Sequence, residues 1–209
     1  MLRILIADDF PLFRRGIKDL LSDSLGALTV GECANAHELL ELVRRNKWDV
    51  LILDISMPGT TGTEALKQVK RECPTLPVVV LSMHPEDQYA VRMFKAGAAA
   101  YLTKASAPEE LVTAMKKVLT GGRYVNQSLG EKLVRLVHQS ADRMPHDLLS
   151  DREYEVMQLL ASGKTISEIA EVMHLGITTI STYRARILTK LSLKNNAELM
   201  RYAIQHGLV

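Results

Sequence analysis

Strand-like runs recur at residues 2–7, 28–33, 50–53, 78–81 and 99–102, and after each of them the apolar spacing lengthens to that of a helix. The helices predicted in between cover about 12–23, 37–45, 62–71 and 86–95, the first with Ile17, Leu20 and Leu21 as its inward stripe. Ser106-Ala107-Pro108-Glu109 reads as a capping box with proline in the first turn, opening a fifth helix that stops at Gly121-Gly122. Five βα units imply an α/β doubly wound parallel sheet with helices on both faces. In such a sheet, ligands bind beyond the carboxyl ends of the strands, where the strand order reverses.

The character of the chain changes at Tyr124. Helical spacing runs from Gln127 to Gln139 through Leu129, Leu133, Leu136 and Val137, and residues 140–147 then lack both period and apolar density. Residues 124–147 are therefore expected to be a connecting helix and linker between a domain at 1–123 and another at 148–209. The last segment has no strand pattern. Ser150-Asp151-Arg152-Glu153 and Thr165-Ile166-Ser167-Glu168 are capping boxes for helices over 153–161 and 165–173. Further helices follow at about 177–191 and 197–206. A short helix, a Gly-containing turn and a longer basic helix make a four-helix, all-α helix-turn-helix arrangement.

Composition narrows the setting. A chain of 209 residues with 47% apolar content has room for one or two packed domains. No apolar run reaches the roughly 18 residues of a membrane span, and the start shows no secretory pattern, so a cytoplasmic protein with no membrane partner is expected. Cys33 and Cys73 lie at no metal-ligand spacing and are expected to stay reduced. The net charge of +2 says little, but residues 172–197 hold no acidic side chain while Arg184, Arg186, Lys190 and Lys194 fall there.

The candidate chemistry centres on Asp54. It ends the apolar run 50–53, and Met57-Pro58-Gly59 then forces a loop, so a carboxylate is held at the tip of a buried strand. The first strand ends in Asp8-Asp9. If the two strands are neighbours, three carboxylates converge and raise one another's pKa unless a cation neutralises them. An all-oxygen set suits a hard cation, and Mg²⁺ is the natural choice. Neither a P-loop nor a Gly-x-Gly-x-x-Gly stretch is present, so nucleotide cradling has no support. Taken singly, Ser82 is an ordinary strand-end hydroxyl, Lys104 a surface lysine and Tyr101 a core residue. Together at strand ends, the metal, Ser82 and Lys104 fit phosphoryl transfer to Asp54 itself.

Asp8-Asp9, Asp54 followed by Met57-Pro58, Ser82, Tyr101 and Lys104 resemble the receiver domain of bacterial two-component response regulators, which has the flavodoxin-like (βα)5 fold. The resemblance implies that Asp54 accepts phosphate from a sensor histidine kinase, with Mg²⁺ held by Asp8, Asp9, Asp54 and the backbone carbonyl of Ser56. It implies that Ser82 and Lys104 bind the phosphoryl group, that Tyr101 is an aromatic switch, and that Ser56 and His84 flank the site. Ala105 follows Lys104 where many receivers have a proline, so no cis bond is predicted there.

On the helix at 177–191, about 100° per residue puts Ile180, Tyr183, Ile187 and Leu191 on one face and Thr178, Ser181, Thr182, Ala185 and Thr189 on the other. Small side chains there can approach base edges, and flanking cations can reach phosphates. Leu149-Ser150-Asp151-Arg152-Glu153, Glu168-Ile169-Ala170, Thr179-Ile180-Ser181-Thr182-Tyr183 and Lys190-Leu191 resemble the LuxR-type helix-turn-helix. Receiver plus this domain is the arrangement of the NarL/FixJ class of transcription regulators. The resemblance implies double-stranded DNA as partner, a homodimer when phosphorylated, and Ser181, Thr182 and Ala185 turned to the bases. The candidate DNA-contacting set is Thr178, Thr179, Ser181, Thr182, Arg184, Ala185, Arg186 and Lys190. Gly176 stands where serine commonly caps the helix, a loss of a few tenths of a kcal/mol. Not an enzyme, on this reading, but a phosphorylation-controlled regulator is expected. The rivals are an aspartyl-phosphate phosphatase, which would want an Asp-x-Asp pair, and a protein-binding adaptor.

Overall fold

Five parallel strands, β1 (Leu2–Ala7), β2 (Leu28–Cys33), β3 (Val50–Asp54), β4 (Val78–Ser82) and β5 (Ala100–Thr103), lie side by side in the order β2-β1-β3-β4-β5. The computed structural model describes residues 1–57, 62–83, 86–127, 129–131 and 144–209. Every residue of β3 and β4 is buried, as a parallel sheet covered on both faces requires. Alternation along the strands splits the core in two. Ile4, Ile6, Val50, Ile52, Val79, Leu81, Ala100 and Leu102 pack against α1 (Pro11–Leu25) and α5 (Ala107–Leu119). Residues of the opposite parity, among them Leu5, Leu51, Val80 and Tyr101, face the other layer, formed by α2 (Ala36–Arg45), α3 (Gly62–Glu72) and α4 (Glu86–Lys95).

The first helix buries Ile17 and Leu21, whereas Leu20 is only partly covered. Neither Asp8 nor Asp9 caps it; Phe10 occupies the N-cap. The capping box expected at Ser106 does not form. Ser106 has helical backbone angles in place of the extended ones a capping residue adopts, and its hydroxyl donates to Thr103 O within the turn that carries Lys104 and accepts nothing from the helix start. Gly62 is required by close approach, because a Cβ there would fall on the Cα and Cβ of Ile55. Cys33 is buried and free, its thiol pushed up to about 12 by burial, and Cys73 is also free.

Beyond α5 the chain runs back along the sheet. Tyr124 forms a parallel bridge with Ala100, its N–H donates to Ala99 O at 2.9 Å, and its hydroxyl donates to Glu110 Oε2 at 2.9 Å. A helix opens at Gln127, with Asn126 Oδ1 accepting from Leu129 N at 3.0 Å; most of the expected connecting helix and linker, residues 132–143, lies outside the described residues. The chain divides into two compact units, Met1–Val137 and His138–Val209.

The second unit is helical. After a 3-10 turn at Pro145–Leu148 come α6 (Asp151–Ala161), α7 (Ile166–Val172), α8 (Ile177–Lys190) and α9 (Asn196–Gln205). Both expected capping boxes are complete, at Ser150/Glu153 and Thr165/Glu168. Asn195 caps α9 by accepting from Glu198 N. Gly176 is the N-cap of α8 and supplies no side-chain bond. The turn between α7 and α8 passes through His174 at φ 52, in the left-handed region. Tyr154, Met157 and Leu160 of α6, Ile180 and Ile187 of α8, and Leu199 and Ala203 of α9 form the core. No described helix is long and apolar enough to cross a membrane.

Candidate functional site

The strand order reverses between β1 and β3, and the register pairs Ala7 with Leu53, so the chain leaves β1 through Asp8 beside Asp54 at the end of β3. Both carboxylates are buried, at 2% and 1% exposure, and a ligand oxygen from each lies within 4.8 Å of one from Asp9. Lys104, just beyond β5, reaches into this group. Its Nζ donates to Asp54 Oδ2 at 2.7 Å and lies 2.7 Å from Asp8 Oδ2. The Asp8 contact is charge pairing without hydrogen-bond geometry. Two of the chain's three phenylalanines complete the wall around the ammonium, with ring centroids 5.4 Å away for Phe10 and 4.6 Å for Phe13.

Main-chain bonds fix the carboxylates. Asp54 Oδ1 accepts from Ser56 N at 2.8 Å, and Asp8 Oδ1 accepts from Phe10 N at 2.8 Å. Arg14, itself paired with Glu32, donates to the carbonyl of Asp8. Burial raises the Asp8 pKa and the neighbouring Asp54 charge adds to it, against the opposing pull of Lys104 and the Phe10 N–H. Burial alone would lower the Lys104 pKa, but its hydrogen bond to Asp54 and its charge pairing with Asp8 outweigh this and raise it.

One ammonium shared by two buried carboxylates leaves the cluster short of positive charge. Asp9 Oδ1 is buried with no hydrogen-bond partner. An all-oxygen donor set with an orphaned carboxylate oxygen fits a hard divalent cation. Ser82 is fully buried at the end of β4, and the Lys104 N–H donates to its carbonyl at 2.7 Å. Tyr101 is 1% exposed and lies on the same face of the sheet, since Ser82 pairs with Thr103 and Val80 with Tyr101. Pro58, Gly59 and His84 lie outside the described residues. The aromatic wall of Phe10 and Phe13 was not singled out from sequence; its signal was two aromatics three residues apart directly after the aspartate pair.

In the second unit, Thr178, Thr179, Ser181, Thr182, Ala185 and Arg186 are exposed along α8. Arg186 makes no hydrogen bond or ion pair with the described residues, whereas two other cations are engaged within the unit. Arg184 Nε donates to Asn196 Oδ1 at 2.6 Å, and Lys190 Nζ donates to Glu153 Oε2 at 2.6 Å and to Leu148 O at 3.2 Å. Glu153 is the third residue of α6 and 3% exposed; burial would raise its pKa, but the bonds from Lys190 and Ser150 hold it below the usual glutamate range.

Residues 4–116 match the response regulator receiver domain, and residues 147–203 match the luxR family of bacterial regulatory proteins. This chain belongs to the two-component response regulators. Its DNA-binding domain is of the LuxR type. It is 34% identical over 209 residues to response regulator UvrY of Escherichia coli K12, covering 100% of this chain and 96% of the relative. It is 36% identical over 210 residues to response regulator GacA of Pseudomonas aeruginosa, covering 100% and 98%. Among solved structures, RcsB of Salmonella enterica serovar Typhimurium, bound to promoter rprA in the presence of phosphomimetic BeF3⁻, is similar with a TM-score of 0.63 and 28% identity over 97% of this chain and 98% of that one. As a response regulator with a LuxR-type domain, the chain is a DNA-binding transcription regulator of a two-component system.

Proposed function

We propose that Asp54 is the phosphoacceptor of this regulator and that its phosphorylation by a sensor histidine kinase controls dimerisation and DNA binding. The observation that carries this reading is the geometry of Asp54. It is a buried carboxylate at the switch point of the sheet, with one oxygen held by Ser56 N–H and the other by Lys104. A carboxylate oxygen attacks phosphorus as the bond to the leaving nitrogen or oxygen breaks. Lys104 then has a phosphoryl oxygen to pair with, and Ser82 offers a hydroxyl donor from the next strand end. Mg²⁺ would be held by Asp8, Asp9, Asp54 and the carbonyl of Ser56, and would neutralise charge on the phosphoryl oxygens. Tyr101 shares its face with Ser82 and is the candidate readout of the phosphoryl state.

Output passes to α8, whose exposed Thr178, Thr179, Ser181, Thr182 and Ala185 are assigned to the bases and Arg186 to a backbone phosphate. A phosphorylated homodimer would present two such helices to two half-sites of double-stranded DNA. The protein itself turns over no separate substrate beyond its own phosphoryl group, and it acts in the cytoplasm, where kinase and DNA are both accessible.

The test is binding of wild type and Asp54→Asn to the same operator, with and without acetyl phosphate and Mg²⁺. Wild type is expected to bind more tightly after treatment and the variant to be indifferent. Equal binding by the variant and treated wild type would remove phosphate control from the account.

A further inference from the structure

Thr178, Thr182, Ala185 and Thr189 are four exposed positions of α8 within about 60° of arc, at ~100° per residue. Two of their hydroxyls are turned onto the helix itself. Thr182 Oγ1 donates to Thr178 O at 2.9 Å, and Thr189 Oγ1 donates to Ala185 O at 3.0 Å. With the donor used in this way, each threonine leaves its methyl group as the outward feature, beside the methyl of Ala185. Lysine, arginine, asparagine and glutamine, the side chains that read guanine or adenine by paired hydrogen bonds, are absent from these four positions. Arg184 and Lys190 are drawn off to Asn196 and Glu153, which leaves Arg186 on the flank for a phosphate.

Resting on the DNA-binding reading above, we infer that α8 recognises its operator chiefly through thymine methyl groups, which pack against an apolar ridge of Thr182, Ala185 and Thr189. The major groove offers the C5 methyl of thymine and no comparable group on the other three bases. A ridge of methyls gains by burying that group and gains nothing from a cytosine in its place. Specificity then comes from the positions of thymines along the groove, while Arg186 sets affinity without sequence preference.

The experiment selects a duplex from a randomised pool with the full-length protein. Each dT of the selected half-site is then replaced singly by dU, a change that deletes only the methyl group. At two or more positions wild type is expected to lose about fourfold in affinity, the value of one buried methyl-sized group. Thr182→Ser and Thr189→Ser keep the hydroxyl and remove the methyl, and Ala185→Gly removes the third methyl. Each variant is expected to bind the dT and dU duplexes alike at the position it covers. Equal wild-type affinity for every dU duplex overturns the inference, as does full dT preference in all three variants. A pool from which no duplex is enriched overturns the DNA-binding reading, and this inference with it.

Discussion

Lys190 donates from Nζ to Glu153 Oε2 at 2.6 Å, joining the end of α8 to the capped start of α6. The same carboxylate accepts from Ser150 N at 2.8 Å, so one buried group caps α6 and holds the end of α8, the helix proposed to face DNA. Lys190→Met leaves this carboxylate without its cation. The second unit is expected to lose about 1–3 kcal/mol, read from urea unfolding, with Glu153 losing a charged hydrogen bond while Lys190 remains partly solvated.

Arg186 and Lys190 of α8 separate in their response to salt. Arg186→Ala should flatten the slope of log affinity against log salt by about 0.9, the release of one phosphate contact, whereas Lys190→Met should leave the slope unchanged. Titrations of one operator duplex at several salt concentrations distinguish them.

Acid should weaken the second unit through Glu153. Its folded pKa lies below its unfolded value, so the stabilisation is complete above the unfolded glutamate pKa of about 4.3 and disappears as pH falls through the lower folded value. Unfolding followed between pH 7 and pH 3 is expected to show this loss in wild type. Glu153→Gln should be less stable at neutral pH and lack that component of the pH dependence.

If the cluster holds Mg²⁺ as proposed, the ion should stabilise the first unit, since the unfolded chain offers it no such site. At a hundredfold over its dissociation constant the gain is about 2.7 kcal/mol. Urea unfolding in Mg²⁺ and in EDTA measures it, and Asp9→Asn, which removes the orphaned carboxylate oxygen, should lose most of the difference.

Gly62→Ala places a methyl on the backbone of Ile55, where no flexible side chain can move aside. A destabilisation of about 1–3 kcal/mol is expected from equilibrium unfolding. Because Ile55 directly follows Asp54, phosphoryl incorporation from acetyl phosphate should fall as well.

What was legible in the chain was what local pattern encodes. The apolar run into Asp54 located β3 and its carboxyl end, which is buried rather than open, and reciprocal Ser/Thr and Glu spacing located the starts of α6 and α7. The same spacing misled at Ser106, because the turn after β5 puts its backbone in helical angles and leaves its hydroxyl on Thr103 O, three residues back. The engagement of Arg184 and Lys190 was invisible for a different reason. Their partners lie 12 and 37 residues away, and helical periodicity says which way a cation faces but not what waits there. Phe10 and Phe13 belong to the same class, since the lysine they enclose arrives from the far end of the sheet.

The bridge between Tyr124 and Ala100 also bears on how copies of the protein meet. β5 is an edge strand, and an edge strand offers unpaired N–H and C=O groups to any passing chain. Here the protein's own Tyr124 already occupies the start of that edge and is anchored to α5 through Glu110. A foreign strand adding in parallel would have to evict it. At this end of the sheet, self-association is therefore steered away from strand exchange and left to side-chain surfaces.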